Sequence, residues 1–241
     1  MKYENQNDYS NVPYPSPTLP NATVKSGGCG VCSCVNVLRF FGVNFAVADL
    51  AKVFVAEKIR VDGGTEMSLA AKYICDHFAL TYTNTSDETE LIKALQKGSC
   101  AIANVGGDRP GYKGIFSTEG HYINVIGYDN IPPKPFILYD CGYYDGKYGD
   151  NYRKGYVSTF KDKAANLCLY ASATALNSDT ANRTPNYYIF EKKVDPTVHN
   201  MLTDGIITKE NVQYWDDAIT GKRPLNPEFV KTILDRYHAL I

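Results

Sequence analysis

The chain of 241 residues is long enough for one well-filled domain with an appendage, and a chain of this size needs no disulfides to bury a core. Apolar residues make up 44% of it and charged residues 21%, with a formal net charge of −1, so the composition gives no electrostatic reason to expect a nucleic acid or an anionic membrane as partner. The 7 cysteines are an odd number, which favours free thiols in a reducing compartment.

The N-terminal segment is polar and rich in proline (MKYENQNDYSNVPYPSPTLPN), and it lacks the basic and apolar regions of a signal peptide. No stretch of the chain approaches the roughly 18 apolar residues that span a bilayer. We therefore expect a protein without a membrane segment that is made and kept in a cytoplasm, or one that is exported by a route the sequence does not show. Residues 1 to about 25 are predicted to form an extended arm that lies on the domain.

The first half of the chain then has helical periodicity. Helices are predicted over residues 29–41, 47–59, 66–78 and 87–96. In the first of them Val31, Cys34 and Leu38 lie on the apolar side, whereas Cys29 lies on the opposite side.

The second half changes to β-branched and aromatic runs bounded by Gly, Pro, Asn and Asp. Strands are predicted over 100–107, 121–129, 136–140 and 186–192, and residues 160–177 fit either a helix or a strand. Helices followed by strands indicate an α+β domain over residues 1–193, with an antiparallel sheet, two layers and a cleft where they meet. Residues 194–241 are predicted to be a small helical appendage in which Trp215 is a core anchor.

Three cysteines lie close together in the stretch GGCGVCSC, residues 27–34. A structural zinc site needs four ligands, usually as two closely spaced pairs, and the other cysteines are scattered singly. A helix that begins at Cys29 also turns Cys34 away from Cys29 and Cys32. The sequence therefore predicts no metal and no cofactor.

Cys29 is instead a candidate nucleophile. It follows Gly27 and Gly28 and begins a predicted helix, where free N–H groups and the positive end of the helix dipole favour a thiolate. The preceding glycines allow a substrate carbonyl to approach, and the N–H of Cys29 can donate to an oxyanion. The alternative is that Cys29 is a small apolar filler at the start of a helix.

A thiolate nucleophile needs a base, and among four histidines His121 is the candidate. It begins a predicted strand after the polar loop STEG, and the next predicted strand ends at Asp140. If the hairpin between the strands is symmetric, His121 lies opposite Asp140, with Cβ atoms about 5 Å apart. Asp140 would then orient the imidazole; otherwise it is a solvated carboxylate at a strand end.

These residues carry a family resemblance. The segments GGCGVCSCVNVLRFFG, STEGHYINVIGYD and LYDCG, in this order, resemble the cysteine, histidine and aspartate segments of papain-like cysteine peptidases related to the double-glycine leader peptidases. The resemblance spans roughly residues 20–160 and implies a papain-like fold, with Cys29 as nucleophile, His121 as base and Asp140 as orienting acid.

One departure concerns the oxyanion hole. Papain-like enzymes place a glutamine six residues before the nucleophile, where this chain has Thr23, and the nearest upstream glutamine is Gln6. We therefore predict that the N–H of Cys29 and Thr23 form the oxyanion hole, with Asn21 and Ser26 as alternative donors.

Substrate-binding residues are predicted on both sides of the cleft, namely Gly28, Gly120, Tyr143 and Tyr144. The two tyrosines belong to the segment YDCGYYDGKYGDNYRKGY, residues 139–156, which is either an aromatic edge of the cleft or a surface loop whose tyrosines cover the core.

The appendage resembles short helical tails of phage lysins. We therefore expect a hydrolase of amide bonds in bacterial cell-wall peptide, stored in the host bacterial cytoplasm and acting on the wall after release. A processing peptidase for leader peptides or phage proteins and a non-catalytic binding module are the alternatives. The appendage is expected to bind walls or to mediate self-association.

Overall fold

The computed structural model describes residues 2–193 and 201–238. The chain divides into two compact units, Met1–Lys192 and Lys193–Ile241. The predicted domain ended at residue 193, and residues 194–200 and 239–241 of the predicted appendage lie outside the described residues.

The first unit begins with a segment that contributes to the core rather than only lying on it. It contains a 3₁₀ helix, Gln6–Asp8, and the short helix α1, Val24–Gly27. Tyr14 is fully buried, and Asn36 in the following helix exchanges hydrogen bonds with the backbone of Glu4, at 2.7 and 3.1 Å. These contacts fix the segment against the domain.

The predicted helices are present with small differences at their ends. They are α2 (Cys29–Phe40), α3 (Val47–Ala56), α4 (Met67–His77) and α5 (Glu88–Gln96). Between α3 and α4 lies a small hairpin of β1 (Arg60–Val61) and β2 (Gly64–Thr65). Two further helices follow later in the unit, α6 (Asn151–Lys154) and α7 (Ala173–Thr180).

An antiparallel sheet of seven strands forms the second part of the unit. Its strands are β3 (Leu80–Thr85), β4 (Cys100–Val105), β5 (His121–Tyr128), β6 (Phe136–Tyr139), β7 (Val157–Lys161), β8 (Leu167–Ala171) and β9 (Tyr187–Lys192). Their order across the sheet is β3-β9-β4-β5-β6-β8-β7. The segment 160–177, which the pattern left open, contains the end of β7, all of β8 and the start of α7.

The sheet buries apolar side chains on both faces. Alternate residues such as Ile102 and Phe190 pack with α2, α3 and α4 in one core, whereas Ala101 and Ile189 belong to a second core with α5 and α7. The mixed fold with N-terminal helices and a large antiparallel sheet is confirmed, and the helices on the second face add a smaller third layer. The sequence of β4 agrees with this arrangement. Its residues are apolar along most of the strand, and they do not alternate with polar residues as in a strand with one face in water.

The second unit is helical over the residues that the structure describes. It contains α8 (Val212–Ile219) and α9 (Pro227–His238). Trp215 is buried together with Ile207, as its predicted role as a core anchor requires. No helix among the described residues is long and apolar enough to cross a membrane.

Candidate active site

Cys29 is the first residue of α2, and it is half-buried at the wall of a cleft. The glycines on either side of Cys29 pack too closely against neighbouring residues to be replaced by a residue with a side chain. A Cβ on Gly28 would lie 2.5 Å from the backbone oxygen of Val24, and one on Gly30 would lie 2.4 Å from the Cβ of Thr65. The start of α2 is therefore clamped between α1 and β2, which fixes the position of the thiol.

His121 begins β5, where it pairs with Val105 of β4. The predicted register with β6 is wrong by two residues: Asn124 pairs with Tyr139, so Asp140, just past the end of β6, continues the ladder opposite Ile123. His121 is two residues from Ile123 and therefore shares its face.

A β-bulge makes this shared face possible. On the turn side of the bulge, Gly127 pairs with Ile137, a register that would continue to place Asp140 opposite Asn124 and on the other face from His121. The shift between Val125 and Gly127 changes the register by one residue. As a result, Nε2 of His121 lies 2.7 Å from Oδ1 of Asp140.

Asp140 is 1% exposed and accepts four hydrogen bonds. Its Oδ1 accepts from His121 and from the N–H of Gly142 at 2.8 Å, and its Oδ2 accepts from Nζ of Lys147 and from the hydroxyl of Tyr148, each at 2.7 Å. Lys147 is itself only 8% exposed. The sequence pattern does not predict the roles of Lys147 and Tyr148, because their contacts with Asp140 depend on the folding of the loop that follows it.

The electrostatics of these groups favour an ion pair between cysteine and histidine. Burial opposes the charged form of Cys29, but its hydrogen bond with His121 and the charge of the imidazolium lower the pKa of the thiol below its ordinary value. Burial also opposes the charge of His121, yet its hydrogen bond to Asp140 and the charge of that carboxylate raise the pKa of His121 to about 9. Despite burial, Lys147 and His121 hold the pKa of Asp140 far below its usual range.

The cleft has a volume of about 440 Å³. Its lining comes from four parts of the chain: Gln6, Leu19, Ser26, Gly27, Cys29, Arg60, Asp62, Gly63, Gly64, Ser117, Thr118, Glu119, Gly120 and His121. A substrate in the cleft can therefore contact both Cys29 and His121.

Gln6 lies in this cleft although it is 23 positions before Cys29 in the sequence. Its backbone N–H donates to the carbonyl of Cys141 at 2.7 Å, and its Nε2 donates to the carbonyl of Lys25 at 3.0 Å. Gln6 is the only glutamine before the nucleophile, which is the one sequence signal that could have identified it.

Thr23 does not line the cleft. It is the N-cap of α1, and its backbone N–H and carbonyl both contact the hydroxyl of Ser26 at 3.0 Å. Of the three polar residues proposed as replacements for a nearby glutamine, Ser26 lines the cleft, whereas Asn21 lines a neighbouring cavity.

The predicted substrate-binding residues separate in the structure. Gly120 lines the cleft beside His121, whereas Gly28 is buried under Val24. Tyr143 stacks on Tyr148 and lines a different cavity, and Tyr144 is exposed and outside the cleft lining. The tyrosine-rich loop therefore contacts Asp140 from behind and does not line the cleft.

No group of three or more His, Cys, Asp or Glu side chains within residues 2–193 and 201–238 is arranged to hold a metal ion.

Comparison with known proteins gives a family match. The family model described as the Peptidase_C39 like family matches residues 1–165. Among solved structures, the chain is similar to the peptidase domain of Streptococcus ComA, at 14% identity and a TM-score of 0.38 over 68% of this chain and 88% of that one. It is also similar to a protein of Bacillus anthracis described as a C39-like peptidase, at 15% identity and a TM-score of 0.45 over 76% and 96% of the two chains. No curated protein matches the sequence.

Proposed function

Because the chain belongs to the C39-like family of papain-like cysteine peptidases, we propose that it cleaves amide bonds with Cys29 as nucleophile, His121 as acid and base, and Asp140 as the residue that orients His121. The observation that carries this proposal is the position of Cys29 and His121 on the wall of one cleft, with the imidazole of His121 hydrogen-bonded to the buried carboxylate of Asp140.

The proposed reaction begins from the thiolate–imidazolium pair. The sulfur of Cys29 attacks the substrate carbonyl carbon, and the electrons of the C=O bond move to the oxygen. His121 then donates its proton to the leaving nitrogen as the C–N bond breaks, which leaves a thioester on Cys29. Water attacks the thioester, gives a proton to His121, and the thiolate is released with the second product.

Asp140 has a defined part in this cycle. Its Oδ1 accepts from Nε2 of His121, which leaves Nδ1 as the ring nitrogen that faces the thiol. The raised pKa of His121, about 9, keeps the imidazolium available to protonate a leaving amine at neutral pH.

We assign the oxyanion hole to the backbone N–H of Cys29 and the side-chain amide of Gln6. An amide nitrogen has two N–H groups, and Nε2 of Gln6 uses one of them on Lys25. The second is available for a developing negative charge in the cleft. Thr23 is not part of this assignment because it does not line the cleft.

We further propose that the scissile bond lies in bacterial cell-wall peptide, as in a phage or prophage lysin that is held in the host cytoplasm and acts on the wall after release. A compact second unit, separate from the peptidase unit, supports a wall-binding or self-associating role for residues 193–241. The sequence resemblance of that segment to lysin tails supports the same substrate.

The test compares wild-type protein with Cys29→Ala and with Cys75→Ala, a half-buried cysteine of α4 that does not line the cleft. Purified cell walls and a library of internally quenched peptides are digested, and the products are analysed by mass spectrometry. We expect new amine ends from wild type and Cys75→Ala but none from Cys29→Ala. Products from peptides and none from walls would reject the lysin role and favour a processing peptidase, and full activity of Cys29→Ala would reject the mechanism.

A further inference from the structure

Arg60 is a buried cation in the wall of the cleft. It belongs to β1, is 6% exposed, and lines the same cleft as Cys29. Buried charges in proteins are normally paired with an opposite charge. Among the described residues, however, no carboxylate lies within ion-pair distance of Arg60.

The guanidinium is held rigidly by neutral groups. Nε donates to the carbonyl of Tyr14 at 3.0 Å, and Nη1 donates to the carbonyls of Val61 and Gly64, the latter at 2.8 Å. The carbon of the guanidinium lies 4.9 Å from the centre of the Tyr14 ring. A guanidinium has five N–H groups, and these contacts use three of them.

The two N–H groups on Nη2 remain. Nη2 donates to no described residue and is not fully enclosed by the protein. A Cβ built on Gly27 would lie 3.2 Å from Nη2. Gly27, which also lines the cleft two residues before the nucleophile, therefore leaves space in front of this donor.

Two carboxylates border the cleft, Asp62 and Glu119, and neither lies within ion-pair distance of Arg60. The pKa of Asp62 is lowered mainly by hydrogen bonds from Thr18 and only to a small extent by the charge of Arg60. Oδ1 of Asp62 accepts from the N–H of Thr18 at 3.1 Å, and its side chain is exposed. Glu119 is also exposed, in the loop before His121. Both remain in water, whereas the cation is buried with a free pair of donors.

We infer that Arg60 binds a carboxylate of the peptide substrate, through Nη2, on the Gly27 side of Cys29. This inference rests on the proposed peptidase function and adds a substrate class to it: peptides that carry a free carboxylate near the scissile bond. The carboxylate is either an acidic side chain or the terminus of a short peptide. The guanidinium is already fixed in the free protein, so binding a carboxylate costs little side-chain conformational entropy.

The test uses small alkylating reagents, so that it does not depend on turnover. Three reagents place a carboxylate at increasing distance from the sulfur: N-iodoacetylglycine, N-iodoacetyl-β-alanine and N-iodoacetyl-γ-aminobutyrate. The matching carboxamides are their neutral controls. In each reaction the sulfur of Cys29 bonds to the iodoacetyl carbon as iodide leaves. Rates are followed by mass spectrometry of the intact protein.

For at least one of the three lengths, we expect the acid reagent to alkylate wild-type Cys29 about 10-fold faster than the carboxamide of the same length. A charge-assisted hydrogen bond between the carboxylate and Arg60 would give a difference of this size. Arg60→Gln should reduce this ratio at least severalfold. Gly27→Ala, which retains Arg60 but puts a methyl group 3.2 Å from Nη2, should do the same and covers the case in which Arg60→Gln does not fold.

Arg183→Gln is the matched control, because Nη2 of Arg183 lies beside Gly120 on another part of the cleft wall. An unchanged acid-to-amide ratio in Arg60→Gln and Gly27→Ala, or loss of the ratio in Arg183→Gln instead, would overturn the inference. Slow alkylation of Cys29 in all of these proteins would contradict the proposed peptidase function, but it would leave the acid-to-amide ratio of the rates unchanged. Cleavage of peptide pairs with Glu or Gln, and with free or amidated C-termini, then distinguishes the two sources of the carboxylate.

Discussion

The ion pair between Asp140 and Lys147 gives the sharpest stability prediction. Oδ2 and Nζ are 2.7 Å apart, and the two side chains are 1% and 8% exposed. Removing one member of a buried pair leaves the other charge without compensation, which costs about 3–5 kcal/mol of unfolding free energy. Replacing both by neutral groups removes the two charges of this pair together, so the double change should cost much less than the sum.

The two single changes should also differ from each other. Asp140→Asn leaves Lys147 without its partner and also removes the hydrogen bond and the charge that raise the pKa of His121. Lys147→Met leaves Asp140 with the imidazolium, the N–H of Gly142 and the hydroxyl of Tyr148. We therefore expect Asp140→Asn to be the more destabilising, and the double variant to show a coupling of about 2 kcal/mol.

The assay is urea unfolding of the four proteins at pH 7, where His121 of the wild type is protonated because its pKa is raised to about 9. The midpoint and the slope are measured together, so that a change in the unfolded state is recognised from the slope. Equal destabilisation by the two single changes, or additive effects in the double variant, would refute this account of the site.

Further predictions concern catalysis and pH. Gln6→Ala should lower kcat about 10²-fold or more with little change in KM, because an oxyanion donor acts on the transition state; unchanged kcat would return the role to other donors. Gly142→Ala should lower activity at least 10-fold, because its methyl group would lie 2.8 Å from Cε1 of His121, whereas Gly155→Ala meets only a contact at 3.5 Å and is the control. Alkylation of Cys29 by iodoacetamide should already be fast at pH 6–7, below the range of a simple thiol with a pKa of about 8.5. kcat should fall as the pH rises through about 9, because His121 then loses its proton. The free energy of unfolding should fall by about 3 kcal/mol between about pH 6.5 and 9 and then level off, since a histidine with a raised folded pKa stabilises fully only below its unfolded pKa of about 6.5.

The part of the site that sequence predicts best is local. The start of α2 at Cys29 follows from the two preceding glycines and from the apolar periodicity, which depend on neighbouring residues only. The separation of Cys34 from Cys29 follows in the same way, and Cys34 is indeed fully buried in the core.

The register of the hairpin between β5 and β6 is not predicted by the local residue pattern. Alternation correctly predicted the two strands, but the register depends on the loop and on the bulge between Val125 and Gly127. Neither has a clear signature in the residue pattern. His121 and Asp140 share one face in the predicted register and in the observed one, because the two registers differ by an even number of residues.

Gln6 shows a different limit. The spacing expected from the family resemblance, six residues before Cys29, selects Thr23 instead of Gln6 as the oxyanion donor. The N-terminal segment folds back so that the backbone of Gln6 bonds to Cys141, the residue after Asp140. A contact between residues 135 positions apart depends on tertiary packing, which no local pattern contains.

The charges of the site explain why Lys147 belongs to it. In the reactive state the thiolate of Cys29, the imidazolium of His121, the carboxylate of Asp140 and the ammonium of Lys147 alternate in sign and sum to zero. Without Lys147 the buried group would carry a net negative charge, and the least costly way to lose that charge in a poorly hydrated site is to protonate the thiolate. Lys147, although it lies behind Asp140 and outside the cleft lining, should therefore favour the thiolate through two intervening groups. Slower alkylation of Cys29 in Lys147→Met at pH 6, with recovery at higher pH, is the expected signature.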